Sequence, residues 1–174
     1  MVKGKVKAKK SVKNWRKEVL TYVMVFIAFG FVMDAWRTQD MPLDSMPAIT
    51  GMTQNNVPVD VIAMSKQKPV VVYFWATWCA ACKFVTPTIN WLSDSYPVVG
   101  VSLNSGEDRR VLRYLNVKDY HFNNINDVQH DISSQWGISV TPTIAIIDNG
   151  EIKTITTGLT TPWGLLARLL LTQI

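Results

Sequence analysis

The stretch Pro69-Val70-Val71-Val72-Tyr73-Phe74-Trp75-Ala76-Thr77-Trp78-Cys79-Ala80-Ala81-Cys82-Lys83 decides the fold. Its first half, Pro69 to Trp75, is an uninterrupted apolar run of the kind that forms a strand buried on both faces. From Lys83 to about Tyr96 the apolar residues recur at helical spacing, and Pro87 is expected to kink that helix one turn past Cys82. Cys79 and Cys82 are the only cysteines in the chain. A C-x-x-C at a strand-to-helix junction points to a redox pair. The first sulfur then lies at a helix N-terminus, where unpaired N–H groups and the helix dipole stabilise a thiolate. An inert loop-closing disulfide and a two-thiolate metal site are the alternatives. A zinc ribbon needs two more ligands at a second knuckle, and His121 and His130 fall outside that spacing. Both histidines read as surface or loop residues.

Working back toward the N-terminus, the composition changes sharply. Residues 1–17 hold eight Lys/Arg and no acid, and Val19 to Met33 is an uncharged apolar run, extended by Ala35 and Trp36 around Asp34. The run is short for a span, for which about 20 residues are needed. Trp15 and Trp36 suit the two interfaces, however, and Lys17 can snorkel. No polar mature start follows Ala28-Phe29-Gly30, which favours a retained anchor over a cleaved signal peptide. The basic flank places the N-terminus in the cytoplasm and exports the rest. The expected division is 1–17 basic cytoplasmic tail, 18–36 transmembrane anchor, 37–46 linker and 47–174 periplasmic domain. Beyond residue 17 the chain carries ten Lys/Arg against thirteen Asp/Glu, so the net charge of +5 belongs to the tail. Its partner is the anionic inner leaflet, and nucleic-acid binding is set aside.

In the exported part, Ala48–Thr53 and Val57–Ile62 look like strands around an Asn55-Asn56 turn. Val98–Leu103 is a second buried strand. Ser105-Gly106-Glu107-Asp108 resembles an N-cap with early acids, opening a helix through about Leu115. Asp131–Trp136 reads as a short helix. Thr143–Ile147 and Ile152–Thr156 flank Asp148-Asn149-Gly150, a hairpin signal. Thr161 and Pro162 start a last helix as N-cap and N1, with Leu165, Leu166, Leu169 and Leu170 along one face. Strands alternating with helices, closed by a hairpin and a terminal helix, give an α/β sandwich.

Phe74-Trp75-Ala76-Thr77-Trp78-Cys79-Ala80-Ala81-Cys82-Lys83, followed by Val140-Thr141-Pro142-Thr143, resembles the thioredoxin-like superfamily. The anchor and Val98–Leu103 bring it nearest to the membrane-anchored, TlpA-like branch and, with Trp36-Arg37-Thr38-Gln39, to its suppressor-of-copper-sensitivity group. The resemblance implies a thioredoxin-like fold, a central mixed sheet with flanking helices, preceded by one N-terminal transmembrane helix. It implies a protein disulfide oxidoreductase in which Cys79 attacks the substrate disulfide and Cys82 resolves the mixed disulfide. Pro142 matches a cis-proline facing the pair, and Thr141 before it would pair with a substrate strand. Trp78, and less directly Trp75, would wall the site. The segment Val117–His130 corresponds to an insertion found in that branch. No cofactor and no metal are implied. The implied partners are exported proteins with disulfides, a membrane thiol-transporting electron donor and the bilayer, with the exported domain monomeric.

Some positions depart from that pattern. Tyr73 stands where many relatives carry a buried aspartate, and Ala80, Ala81 and Val85 offer none of the carboxylates of cytochrome-c-maturation members. With the helix terminus and Lys83 alone near Cys79, a moderately depressed thiolate pKa of about 6 to 7.5 is expected. That gives an intermediate to reducing potential. Two other readings stay open. One is a cytochrome c maturation reductase. The other is a copper-binding module using Met41, Met46 and Met52, because thioethers bind Cu(I).

Overall fold

The computed structural model describes residues 12–38 and 46–172. Two compact units divide the chain, Met1–Trp36 and Arg37–Ile174. Val12–Thr38 is one helix of 27 residues, α1. Leu20, Phe26, Phe29 and Val32 are exposed on it, and Thr21 turns its hydroxyl back onto the Lys17 carbonyl. The span expected over 18–36 falls within this helix, some of whose side chains lie outside the described residues. Among the described residues no helix is long and apolar enough to cross a membrane. Most of the expected linker, with Met41, also lies outside the described residues.

The second unit opens with a small antiparallel pair, β1 (Thr50–Met52) and β2 (Pro58–Asp60), in which Thr50 faces Asp60. The turn between them uses Asn56 at φ 57°. The strand expected over Val57–Ile62 stops early. Asp60 accepts the Ala63 N–H at 3.0 Å and caps a short helix, α2 (Val61–Ser65), in its place.

Five strands then form the main sheet in the order β5-β4-β3-β6-β7. They are β3 (Val70–Trp75), β4 (Val98–Leu103), β5 (Asn123–Asp127), β6 (Thr143–Asp148) and β7 (Glu151–Thr157). β3, β4 and β5 run parallel, and β6 and β7 run antiparallel to their neighbours. The sheet is mixed, as in the thioredoxin-like expectation. The connecting helices are α3 (Cys82–Leu92), α4 (Asp108–Val117), α5 (Asp131–Gln135) and α6 (Pro162–Leu171).

Alternation along β3 explains why all of it is apolar. Val71, Tyr73 and Trp75 join one core with Val85 and Ile89 of α3 and Leu165 and Leu169 of α6. Val70, Val72 and Phe74 join the opposite core with Ile49, Trp136 and Ile147. Each such Val or Ile, when fully buried, contributes roughly 1.5–3 kcal/mol. The α3 helix continues through Pro87 to Leu92, short of Tyr96, and Ser93 beyond it gives its hydroxyl to the Asn90 carbonyl at 2.6 Å. At the far end of the sheet, Asn149 and Gly150 take positive φ and turn β6 into β7. Ser65 clasps that turn, its carbonyl accepting the Asn149 N–H at 3.0 Å and its hydroxyl the Gly150 N–H at 2.9 Å. Thr161 caps α6 through the Gly164 N–H, with Pro162 at the first helical position.

β5 is the strand that sequence patterning misses. Asn123-Asn124-Ile125-Asn126-Asp127 has a polar composition that disfavours strands. Its asparagines are instead spent on lateral bonds: Asn124 Oδ1 accepts the Trp75 indole N–H at 2.8 Å, and its amide donates to Ser102 at 3.1 Å. The close approach is possible because β4 has Gly100 there, where a Cβ would meet Phe122 at 2.6 Å and Asn124 at 2.7 Å.

Candidate active site

β3 ends at Trp75, Ala76-Thr77-Trp78 carries the chain from it toward the N-terminus of α3, and the redox pair bridges that junction. Cys79 and Cys82 are joined as a disulfide with Cα atoms 5.3 Å apart. Both are buried, Cys79 at 5% exposure and Cys82 at 2%, so the edge of Cys79 is the more accessible sulfur. The Cys82 N–H, the first of α3, donates to Cys79 Sγ at 3.1 Å. A helix N-terminal amide aimed at a sulfur favours its thiolate, through the hydrogen bond and the helix dipole.

The loop that ends in Pro142 closes the site from the other side. The Thr141–Pro142 bond is cis. The Thr141 carbonyl oxygen lies 3.6 Å from Cys79 Sγ. The Pro142 carbonyl accepts the Gly158 N–H at 2.8 Å, tying this loop to the end of β7. Trp78 is 60% exposed beside the disulfide, its indole N–H donating to the Asn104 carbonyl at 2.9 Å. The structure therefore brings together four of the expected residues, Cys79, Cys82, Thr141 and Pro142, and sets Trp78 at their edge.

Trp75 does not wall the site. It is fully buried, tied to Asn124 and stacked in line with Tyr73 at 6.3 Å. Ser105 is not the cap of α4 that its sequence context suggests. Glu107 occupies that position, without a side-chain bond. The Ser105 hydroxyl instead accepts the Thr77 N–H at 3.0 Å and donates to the Leu103 carbonyl at 2.9 Å. Asn104, at φ 46°, turns its carbonyl to Trp78. This two-residue clamp on the redox loop was not foreseen from sequence, since serine before a helix usually signals a cap.

The remaining candidates lie elsewhere. His121 pairs with Asp94 at 3.0 Å on the surface, and His130 sits at φ 62° ahead of α5. Met46 packs against the core that holds Ile49 and Val59, and Met52 is exposed on β1. Among the described residues no cluster of three His, Cys, Asp or Glu could hold a metal ion.

Residues 48–169 match the family model described as Thioredoxin. The chain belongs to the thioredoxin family. A thioredoxin-like protein of Haemophilus influenzae is 35% identical over 165 residues, covering 94% of this chain and 96% of that one. The thiol-disulfide oxidoreductase ResA of Geobacillus thermodenitrificans is 33% identical over 96 residues, covering 52% of this chain and 55% of that protein. By fold, the chain is similar to a secreted Mycobacterium tuberculosis disulfide oxidoreductase homologous to DsbE. That match has a TM-score of 0.62 at 19% identity and covers 71% of this chain and 95% of the other. With this thioredoxin fold and its close Cys79–Cys82 pair, the protein is a thioredoxin-like thiol-disulfide oxidoreductase.

Proposed function

We propose that this oxidoreductase is anchored in the bacterial inner membrane by α1, faces the periplasm and reduces disulfides of exported proteins. The observation that carries the exchange chemistry is the Cys82 N–H held on Cys79 Sγ beside the cis Thr141–Pro142 bond. In this reading the Cys79 thiolate attacks the substrate disulfide and Cys82 closes on Cys79 to release the reduced substrate. The Thr141 backbone pairs with the substrate strand, and Trp78 supplies an apolar wall. A reductant in an oxidising compartment needs electrons, so a membrane thiol-transporting donor re-reduces the pair.

The anchor is supported by the apolar run Val19–Met33 behind eight basic residues, and by the exposed apolar side chains of α1. The same reading extends to copper or redox stress tolerance through the suppressor-of-copper-sensitivity resemblance. Direct copper binding has less behind it, because Met46 is spent on packing.

Three measurements test the proposal. Cys79→Ser abolishes disulfide reduction, while Cys82→Ser accumulates mixed disulfides with exported proteins, visible after acid trapping on non-reducing gels. Activity surviving in Cys79→Ser sinks the assignment of the attacking sulfur. A reduction potential near or below about −220 mV supports a reductant, whereas a value near about −120 mV makes the protein an oxidant.

A further inference from the structure

Under the disulfide, on the sheet side of α3, lies a buried hydrogen-bonded chain to which the exchange reaction assigns no role. Thr86 follows Cys82 by one turn, and its hydroxyl donates to the Cys82 carbonyl at 2.7 Å. That uses the single proton the hydroxyl has. In the 2.8 Å contact between Thr86 and the Tyr73 hydroxyl, Tyr73 is therefore the donor. The chain runs one way, from Tyr73 to Thr86 to the Cys82 carbonyl. Both side chains are buried. Burial also pushes the Tyr73 phenol well above the usual tyrosine range, so it keeps its proton.

Cys82 needs the opposite of a donor, since its thiol must lose a proton before it can attack. Among the described residues, Lys83 follows Cys82 on α3, and Tyr73 of β3 shares the core that holds both cysteines. Tyr114 of α4 and Tyr120 ahead of β5 adjoin Tyr73. β6 and α6 contribute Ile144, Leu165 and Leu169. None of these is a carboxylate or an imidazole. Asp127 is the one buried acid among the described residues. Its two oxygens accept the Ile132 and Ser133 N–H groups at the start of α5.

We propose that Tyr73 and Thr86 are positioning residues that fill the space under the resolving cysteine with a neutral, proton-donating chain, so that Cys82 gives its proton to solvent and not to a protein base. The inference rests on the exchange reaction proposed above. In the resolving step, hydroxide or a buffer base removes the Cys82 proton, and the Cys82 thiolate attacks Cys79 Sγ. The Cys79–substrate bond breaks as the Cys79–Cys82 bond forms. The substrate sulfur leaves with the electron pair and is protonated by water. Over the whole cycle the dithiol loses two electrons and the substrate disulfide gains them. The rate of resolution follows the thiolate fraction of Cys82, which rises with hydroxide concentration until the thiol itself has ionised.

Stopped-flow mixing of the reduced full-length chain with equimolar 5,5′-dithiobis(2-nitrobenzoic acid) separates the two steps. Attack by Cys79 releases one thionitrobenzoate and resolution by Cys82 releases the second. The second phase is expected to accelerate about tenfold per pH unit between about pH 6 and 8, levelling off only in the usual thiol range near about 8.5 as Cys82 itself ionises, in the wild type and in Tyr73→Phe. Tyr73→Asp, which puts a carboxylate into the chain, bends that profile near neutrality and speeds the second phase by at least about tenfold at pH 7. A wild-type inflection between about pH 6 and 8 that Tyr73→Phe removes overturns the proposal, as does a Tyr73→Asp profile superimposable on the wild type. Where Tyr73→Asp does not fold, the wild-type and Tyr73→Phe profiles decide the question. A first phase that survives Cys79→Ser overturns the exchange reading itself.

Discussion

A buried N–H that loses its acceptor costs about 1–3 kcal/mol, and the Thr77 N–H has its acceptor in the Ser105 hydroxyl. Ser105→Ala is therefore expected to lower stability by about 1 kcal/mol in urea unfolding, the lower end of that range because the Thr77 N–H is only part-buried, and to slow Cys79 attack as well, because Thr77 and Trp78 lead directly into the cysteine. A loss of stability with unchanged exchange kinetics would show that the clamp matters for folding alone. Tyr73 makes a second prediction at this scale. Its phenol is raised by burial. The folded state then holds a proton that the unfolded chain releases above the usual tyrosine value of about 10. The stabilisation is complete below that pH and declines as pH rises past it, since the unfolded state binds fewer protons there. Tyr73→Phe should flatten this alkaline decline in denaturant midpoints. The contrast between the two residues explains what a sequence can disclose. Cys79 and Cys82 announce themselves because a short local motif implies their chemistry, and Pro142 was reached through the thioredoxin-like resemblance. Ser105 does not, because its partner is on a different loop and its own neighbours imitate a helix cap.

At the level of elements, β3, β4, the β6–β7 hairpin and α6 were legible because their burial imposes the patterns that sequence reading relies on: continuous apolar runs, a turn dipeptide, and an N-cap with proline behind it. β5 was not, since its strand is held by what asparagine side chains do across the sheet. α2 was missed for a similar reason, with Asp60 capping a turn inside what looked like a strand. Gly100 joins these observations. Gly100→Ala is expected to displace Phe122 or Asn124, loosen the Trp75 indole bond and cost about 1–3 kcal/mol by overpacking. An unchanged thermal midpoint would mean that β5 shifts freely. Leu169, fully buried on the inner face of α6, gives the complementary case. Leu169→Ala should cost about 2–5 kcal/mol through the cavity it leaves, measurable by the same denaturation.

For the molecule as a whole, the charge asymmetry separates the two halves of the proposal. The basic residues of the first 17 positions act through an anionic surface, at about 1 kcal/mol each when close to it, and salt screens them. The apolar run acts through burial, which salt does not weaken. The full-length chain should therefore stay with anionic vesicles through a high-salt wash in flotation assays. Release by salt alone would leave the basic tail as the whole of the attachment and refute the anchor. The same molecule also carries a built-in limit on its chemical ageing. Asn149-Gly150 is the only Asn-Gly pair in the chain, and such pairs deamidate when the glycine nitrogen attacks the asparagine amide to close a succinimide ring. Here that nitrogen is engaged with the Ser65 hydroxyl, in a turn fixed from both sides. The most labile amide of the sequence is thus shielded for as long as α2 stays docked, and peptide mapping of aged Ser65→Ala protein should show isoaspartate at residue 149 well before the wild type does.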